Sequence, residues 1–119
     1  MAIRVLIADD HPLVRDGLRL SIQHSDRDIE VVAEVSDGLE ALKAADSCAI
    51  DVFILDITMP KLNGLDTARL LLSKQPERKI IILSLHDSRA LVEKAMEVGA
   101  RGYLTKETAS RNVLESIQE

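Results

Sequence analysis

Side chains able to carry chemistry come directly after several apolar runs of this sequence. Asp56 ends a run in the middle of the chain, and Asp9 and Asp10 follow an earlier one. Ser84 and Lys106 stand at the ends of two later runs. Short apolar runs of this kind are typical of buried strands. If the strands are parallel, their carboxyl ends share the sheet edge at which ligands bind. We therefore expect these five side chains to form one site.

The residue types at this edge predict phosphoryl chemistry with a divalent cation. Three carboxylates in one crevice repel each other and cannot all stay ionised without a counter-charge. Mg²⁺ resolves this because it prefers oxygen ligands. A hydroxyl (Ser84) and an ammonium (Lys106) add donors for the oxygens of a transferred phosphoryl group. Asp56 can accept that group as an aspartyl phosphate.

Each of these residues alone has a simpler structural explanation. Asp9 and Asp10 could be helix N-caps, and Asp56 could cap a loop. Ser84 could be a turn residue, and Lys106 a solvated surface cation. For any one of these residues taken alone, the simpler explanation is the better one. It does not explain why all five residues fall at the ends of strands. The joint pattern favours a site.

Apolar periodicity predicts the elements that must position these residues. A first strand spans Ile3–Ala8, and Pro12 suits the first turn of a helix. That helix has an apolar stripe of Leu13, Val14, Leu18 and Ile22. The further strands are predicted at residues 29–35, 52–56, 79–83 and 100–105.

Helix boundaries are marked by capping residues. Asp37 with Glu40 three residues later is typical of a capping box, Ser88 suits another N-cap, and Gly99 suits the end of that helix. The side chains expected to face inward from the later helices are Ala41, Leu42, Ala45, Leu65, Ala68, Leu71, Leu72, Leu91, Ala95, Val98, Val113, Leu114 and Ile117.

Strands and helices alternate five times, which predicts an α/β fold with a parallel sheet and helices on both faces. Right-handed crossovers narrow this to a doubly wound, flavodoxin-like sheet of five strands in the order 2-1-3-4-5. In that order the first and third strands are neighbours, so Asp9, Asp10 and Asp56 meet.

Bulk composition restricts the function classes. The chain of 119 residues fits one domain, and its net charge of -5 argues against a nucleic-acid-binding face. The single Cys48 excludes an internal disulfide and suits a cytoplasmic protein. No stretch approaches the length of a membrane span. His11 and His86 lack the spacing of a zinc motif, so no zinc site is expected.

Four motifs together carry a resemblance to a known family. The chain resembles the receiver domain of bacterial two-component response regulators, most of all the nitrate and nitrogen-fixation regulators with a C-terminal helix-turn-helix output domain. The matching motifs are Val5-Leu6-Ile7-Ala8-Asp9-Asp10-His11-Pro12, Asp51-Val52-Phe53-Ile54-Leu55-Asp56-Ile57-Thr58-Met59-Pro60 with Asn63-Gly64, Leu83-Ser84, and Gly99-Ala100-Arg101-Gly102-Tyr103-Leu104-Thr105-Lys106.

The resemblance implies roles for the site residues. Asp56 accepts a phosphoryl group from a sensor histidine kinase, and Asp9, Asp10, Asp56 and the main-chain carbonyl of Thr58 hold Mg²⁺. Lys106 and Ser84 contact the phosphoryl oxygens. Tyr103 is the aromatic side chain that rotates in the switch.

The resemblance also implies the wider organisation. Residues 1–119 form one receiver domain, and a linker and a DNA-binding output domain lie downstream, outside this chain. The domain is a switch that promotes its own phosphorylation and dephosphorylation, not an enzyme acting on an external substrate. The face built from the fourth helix, the fifth strand and the last helix is a candidate for phosphorylation-dependent dimerisation or for release of the output domain. Many relatives have Pro where this chain has Glu107, so the path of that loop is open.

Three other functions fit parts of the pattern. A hydrolase of the haloacid-dehalogenase type needs a second Asp two residues after its nucleophile, where this chain has Thr58. A flavin carrier needs a Ser/Thr-rich phosphate loop after the first strand, where Asp9 and Asp10 would repel phosphate. A receiver-like domain that only binds partners would not need the intact acid set, and a phosphorylation assay separates it from the switch.

Overall fold

Five strands and five helices alternate along the chain. The computed structural model describes residues 2–118. The elements are β1 (Ile3–Ala8), α1 (Pro12–Gln23), β2 (Ile29–Val35), α2 (Gly38–Ser47), β3 (Val52–Asp56), α3 (Gly64–Lys74), β4 (Lys79–Ser84), α4 (Arg89–Val98), β5 (Gly102–Thr105) and α5 (Ala109–Gln118). Within residues 2–118, no helix has both the length and the apolar character needed to cross a membrane.

The five strands form one sheet in the order β2-β1-β3-β4-β5. Every neighbouring pair of strands in it is parallel. The predicted doubly wound sheet and its strand order are therefore confirmed. β3 lies at the centre, and all five of its residues are buried.

Alternating side chains of the strands divide the core into two apolar layers. Ile7, Ile54 and Ile81 pack toward α1 and α5, where residues such as Leu18 and Val113 meet them. The intervening positions, among them Leu6, Phe53, Leu55 and Ile82, pack toward α2, α3 and α4. A strand alternates its side chains between the two faces of the sheet. The continuous apolar runs of the sequence thus supply both layers at once.

The predicted helix caps are present. The Asp37 carboxylate accepts a hydrogen bond from the Glu40 backbone N–H at 2.9 Å. The Ser88 hydroxyl oxygen accepts one from the Leu91 N–H at 3.4 Å. Gly99 ends α4 with φ of 105°, in the left-handed region that glycine adopts without steric cost.

One predicted core residue and one predicted strand boundary are wrong. Leu13 is 85% exposed and does not belong to the buried stripe of α1. Val14, Leu18 and Ile22 follow each other at four-residue spacing, and Leu13 is turned about 100° away from Val14 on the helix.

β5 begins at Gly102 instead of residue 100, because the Ala100 N–H donates to the Ala95 carbonyl and so completes the end of α4.

Gly64 allows the start of α3 to lie directly against the end of β3. A Cβ atom at this position would overlap the backbone carbonyl of Asp56 and the Cα atom of Ile57. The Gly64 N–H also donates to the Ile57 carbonyl at 3.1 Å. The backbone that carries Asp56 is therefore held by a contact that only glycine permits.

Replacing Gly64 by Ala should destabilise the fold by about 2 kcal/mol or more, since the overlap is with backbone that cannot swing aside. The free energy of unfolding measured in urea tests this. Gly17→Ala is the matched control: Gly17 lies inside α1 with open space around it, and this substitution should stabilise by about 0.5–1 kcal/mol. Equal stabilities of the Gly64→Ala protein and the wild type would contradict the close-approach argument.

Candidate functional site

The sheet register brings the predicted site residues to one edge. Ala8 pairs with Leu55 across β1 and β3, so the residues that follow, Asp9 and Asp56, lie side by side. Ser84 pairs with Thr105 across β4 and β5. Lys106 follows β5, and its backbone N–H donates to the Ser84 carbonyl at 2.8 Å.

Asp56 is buried at the end of the central strand, with 2% of its surface exposed. Its Oδ2 atom accepts a hydrogen bond from the Lys106 ammonium at 3.0 Å. Its Oδ1 atom accepts from the Thr58 backbone N–H at 3.3 Å, a long contact. One oxygen is therefore engaged by a cation, and the other is only weakly held.

Asp9 is fully buried and shares the Lys106 ammonium with Asp56. The Nζ atom is 3.0 Å from Oδ2 of Asp9. Hydrogen-bond geometry, however, is met only toward Oδ1, at 3.3 Å. Oδ2 of Asp9 is thus buried and is held by the ion pair with Lys106 alone, without a hydrogen bond of good geometry.

Burial raises the pKa of the Asp56 carboxyl from its ordinary value of 3.8 to about 6. The hydrogen bond from Lys106 acts in the opposite direction, and the negative charge of Asp9 adds to the rise. Burial also lowers the pKa of Lys106, but the bonds and charges of Asp56 and Asp9 outweigh it and raise that pKa above its ordinary value. Lys106 therefore stays charged near neutral pH.

The acid cluster, defined as Asp9, Asp10 and Asp56, fits a divalent cation. Ligand atoms of these three residues and of His11 all lie within 4.8 Å of one another. Asp10 is exposed, whereas Asp9 and Asp56 are buried. Several carboxylate oxygens with open access to water are the donor set that Mg²⁺ prefers. Oδ2 of Asp9, which is held only by its ion pair with Lys106, adds a further buried oxygen to this set.

Thr58 and Ser84 line one cleft together with Asp10 and Asp56. The cleft has a volume of about 220 Å³. Thr58 is exposed, whereas Ser84 is fully buried. The Ser84 hydroxyl oxygen accepts a hydrogen bond from the His86 backbone N–H at 3.1 Å. The cleft is large enough for a phosphoryl group beside Asp56.

Tyr103 lies on β5, half-buried, against the core layer under α2, α3 and α4. Its hydroxyl donates to the His86 carbonyl at 2.7 Å. Because His86 also donates to Ser84, the backbone of His86 links Ser84 to Tyr103. The sequence-predicted switch residue is thus connected to the site through one loop residue.

The loop after Lys106 is shaped without proline. The Thr108 N–H donates to the Thr105 carbonyl at 3.1 Å, and the two threonine hydroxyls are 2.8 Å apart. These contacts form a turn across Lys106 and Glu107 that leads into α5. The threonines fix the path that the sequence left open.

Two residues at the site were missed by the sequence reasoning. The His11 Nδ1 atom is 3.1 Å from a carboxylate oxygen of Asp9 and 3.1 Å from one of Asp10. The Arg15 guanidinium donates to the Asp9 carbonyl at 2.6 Å. The spacing of His11 does not indicate a zinc motif, but its position directly after two adjacent acids was a usable signal. Arg15, one helical turn further on, had no such signal.

Comparisons with known proteins agree with this geometry. Residues 5–118 match the family described as the response regulator receiver domain. The chain belongs to this family. It is 40% identical to the response regulator UvrY of Escherichia coli and 39% identical to a nitrate/nitrite response regulator homologue of Haemophilus influenzae, each over 98% of the chain. The predicted family and its nitrate-regulator group are confirmed.

Solved structures support the same membership. A LuxR-family two-component response regulator from Aurantimonas superimposes with a TM-score of 0.90 at 30% identity, covering 99% of this chain and 84% of that one. The chain spans about half the length of the curated relatives it matches, 53% of UvrY and 55% of the Haemophilus protein. Receiver domains are signalling domains, not enzymes that turn over an external substrate, and they bind Mg²⁺ at an acidic pocket.

Proposed function

We propose that this chain is a phosphorylation-activated switch whose phosphoacceptor is Asp56. A sensor histidine kinase supplies the phosphoryl group. The bond between phosphorus and the kinase's histidine nitrogen breaks, and a bond to a carboxylate oxygen of Asp56 forms. The same domain promotes loss of the group to water.

The observation that carries this proposal is the environment of Asp56. One of its oxygens is engaged by Lys106, and the other has only the long contact with the Thr58 N–H. The carboxylate borders a cleft of about 220 Å³ whose lining includes Asp10, Thr58 and Ser84 beside apolar side chains. A buried carboxylate with one weakly held oxygen, a cation beside it and space in front suits a nucleophile for phosphoryl transfer.

Asp9, Asp10, Asp56 and the main-chain carbonyl of Thr58 would hold Mg²⁺. When bound, this ion neutralises charge on the phosphoryl oxygens. The chain's own residues do the rest: Lys106 provides a fixed ammonium beside Asp56, and the Ser84 hydroxyl lies at the wall of the same cleft. Both groups can donate hydrogen bonds to oxygens of the phosphoryl group, and both already lie near Asp56.

The length of the relatives supports an output domain elsewhere in the whole protein. The matched relatives are about twice as long as this chain, and the Aurantimonas structure is titled a LuxR-family regulator. We take residues 1–119 as the receiver domain of a cytoplasmic transcription regulator with a C-terminal helix-turn-helix domain. The receiver itself, with a net charge of -5, would not contact DNA or a membrane.

Incubation with acetyl phosphate and Mg²⁺ should add one phosphoryl group, detected by intact mass. Asp56→Asn should abolish the addition, because its amide is not a nucleophile for this reaction. Asp51→Asn is the matched control: Asp51 precedes the same strand at the opposite end and is exposed, so this protein should be phosphorylated like the wild type. An Asp56→Asn protein that gains one group at the wild-type rate would refute the proposed acceptor, as would a rate unaffected by chelating the Mg²⁺.

The readout would pass from Ser84 to Tyr103. A phosphoryl group adds about -1.5 to -2 charge and strong acceptor oxygens, which draw the Ser84 hydroxyl toward Asp56. That movement disturbs the bond between Ser84 and the His86 N–H, and through His86 the bond from Tyr103. The Tyr103 ring can then move further inward, changing the face formed by α4, β5 and α5. This face would mediate dimerisation or release of the output domain.

NMR of the protein with and without beryllofluoride, a phosphoryl mimic, tests the relay. Resonances of Ser84, His86, Tyr103 and residues 91–98 should shift in the wild type. In Tyr103→Phe, which lacks the hydroxyl, shifts at residues 91–98 should shrink by about half or more, while shifts around Asp56 report equal occupancy. Wild-type shifts confined to the loops holding Asp9, Asp10 and Asp56 would contradict the relay.

A further inference from the structure

We propose that Arg15 is a positioning residue for cation binding: it fixes the loop between β1 and α1 that carries Asp9 and Asp10. Glu34 in turn holds the Arg15 side chain in place. Arg15 acts through the backbone and touches neither the cation nor the phosphoryl group. This inference rests on the proposed function, because it concerns the affinity of the same acid cluster for Mg²⁺.

The first support is a short hydrogen bond to the backbone between the two acids. The Arg15 guanidinium donates to the Asp9 carbonyl at 2.6 Å. That carbonyl belongs to the peptide unit that joins Asp9 to Asp10, so the bond fixes the orientation of this peptide. A bond from a charged donor is stronger than one between neutral groups. Because the Asp10 side chain is exposed, its position depends mainly on the backbone that carries it.

The second support is that adjacent residues of β2 hold both backbone polar groups of Asp9. The Val35 carbonyl accepts from the Asp9 N–H at 3.1 Å. Glu34 holds the donor to the Asp9 carbonyl, because its Oε1 atom lies 3.9 Å from Nε of Arg15. Ala33 and Val35 pack into the core layer under α2, α3 and α4, so Glu34 between them faces α1. The alternation of β2 thus places a carboxylate on the side of the sheet where Arg15 lies.

Arg19 offers a natural comparison with Arg15. The two arginines are four residues apart on α1, so they lie on the same face of the helix. Arg19 also pairs with Glu34, at 3.4 Å between Nη1 and Oε2. Its other ion pair is with Asp16 on the same helix. Arg19 therefore brings the same charge to the same carboxylate without a bond to the backbone that carries the acids.

Charge alone and positioning predict opposite effects of Arg15 on cation binding. A guanidinium near the acid cluster repels a divalent cation, so removing a residue that acts only by its charge would strengthen binding. If Arg15 instead holds the loop ready for the cation, its removal weakens binding, because the cation must then order Asp9 and Asp10 itself. The sign of the change in affinity therefore separates the two roles.

NMR titrations with Mg²⁺ on the chain as it stands measure this sign. Arg15→Met keeps an apolar stem and removes the donor, and it should weaken Mg²⁺ binding on the order of 10-fold. Arg19→Met is the matched control, and it should change the affinity by less than about 2-fold, since pairs at the surface contribute little. An affinity of Arg15→Met that equals or exceeds the wild-type value would overturn the inference, as would an equal loss in Arg19→Met.

A double-mutant cycle tests the part of Glu34. Glu34→Gln should weaken Mg²⁺ binding in the wild-type background, because Arg15 loses its anchor. In the Arg15→Met background the same substitution should have no further effect, since the donor that Glu34 holds is already absent. Equal losses in both backgrounds would show that Glu34 acts by its charge, which contradicts the proposed link.

A second readout follows the hydrogen bond itself. A carbonyl carbon responds to the hydrogen bonds that its oxygen accepts, so the ¹³C signal of the Asp9 carbonyl, recorded without metal, should move in Arg15→Met. The signal should stay in place in Arg19→Met. An unmoved signal in Arg15→Met would show that the bond does not form in solution and would overturn the inference.

Phosphorylation by acetyl phosphate separates this inference from the proposed function. In Arg15→Met the Mg²⁺ concentration that gives half the maximal rate should rise on the order of 10-fold, and the maximal rate should fall far less. A maximal rate that falls as much would contradict a role confined to the loop. If the wild type gains no phosphoryl group, the proposed function fails, whereas the Mg²⁺ titrations still decide the role of Arg15.

Discussion

The Lys106 ammonium is the counter-charge that allows two buried carboxylates to lie side by side at the end of the sheet. Asp9 and Asp56 are almost entirely removed from water, and both contact this one cation. Removing charged groups from water costs several kcal/mol per ion unless close partners compensate. Compensation here is partial, because two buried carboxylates share one ammonium group and the pKa of Asp56 is raised. The site therefore retains a demand for positive charge, which a divalent cation would meet.

This arrangement depends on the order of the strands. Lys106 is 50 residues from Asp56 and 97 from Asp9 in the sequence. The order β2-β1-β3-β4-β5 brings β1 beside β3 and places β5 two strands from β3, with β4 between them. The Lys106 side chain spans this distance to reach Asp56 and Asp9. The backbone bond from Lys106 to Ser84 then sets where that side chain begins. The strand order and this backbone bond together place the Lys106 ammonium beside the two carboxylates.

The sequence predicted the fold because local signals agreed with each other. Asp37, Ser88 and Gly99 mark helix ends by hydrogen bonding or backbone conformation that can be recognised from residue type alone. The assignment of Leu13 to the buried stripe of α1 was wrong because neighbouring residues of a helix point about 100° apart. An apolar residue adjacent in sequence to the stripe therefore need not face the core. The predicted start of β5 at residue 100 was wrong because the Ala100 N–H bonds to the end of α4 and so cannot take part in the sheet.

The convergence of the candidate residues at one edge of the sheet was predictable, but their contacts were not. The position after a strand indicated Asp9, Asp10, Asp56, Ser84 and Lys106, because parallel strands end at one edge. The contacts of His11 with Asp9 and Asp10 depend on the direction of its ring, and the link from Ser84 to Tyr103 runs through the backbone of His86. Side-chain orientation and loop backbone bonds of this kind leave no periodic trace in a sequence.

The ionisation of Asp56 tests the electrostatic account most directly. Its pKa is raised in the folded protein, so between about pH 4 and 6 this carboxyl is protonated in the folded state and ionised in the unfolded chain. The stability that this group contributes to folding is therefore lost as the pH rises through that range. Carboxyl ¹³C NMR of the protein in chelator, assigned with Asp56→Asn, measures this pKa. We predict a titration at about pH 6 that moves to lower pH when Mg²⁺ is added. A titration near the ordinary value of 3.8, unmoved by Mg²⁺, would contradict the account.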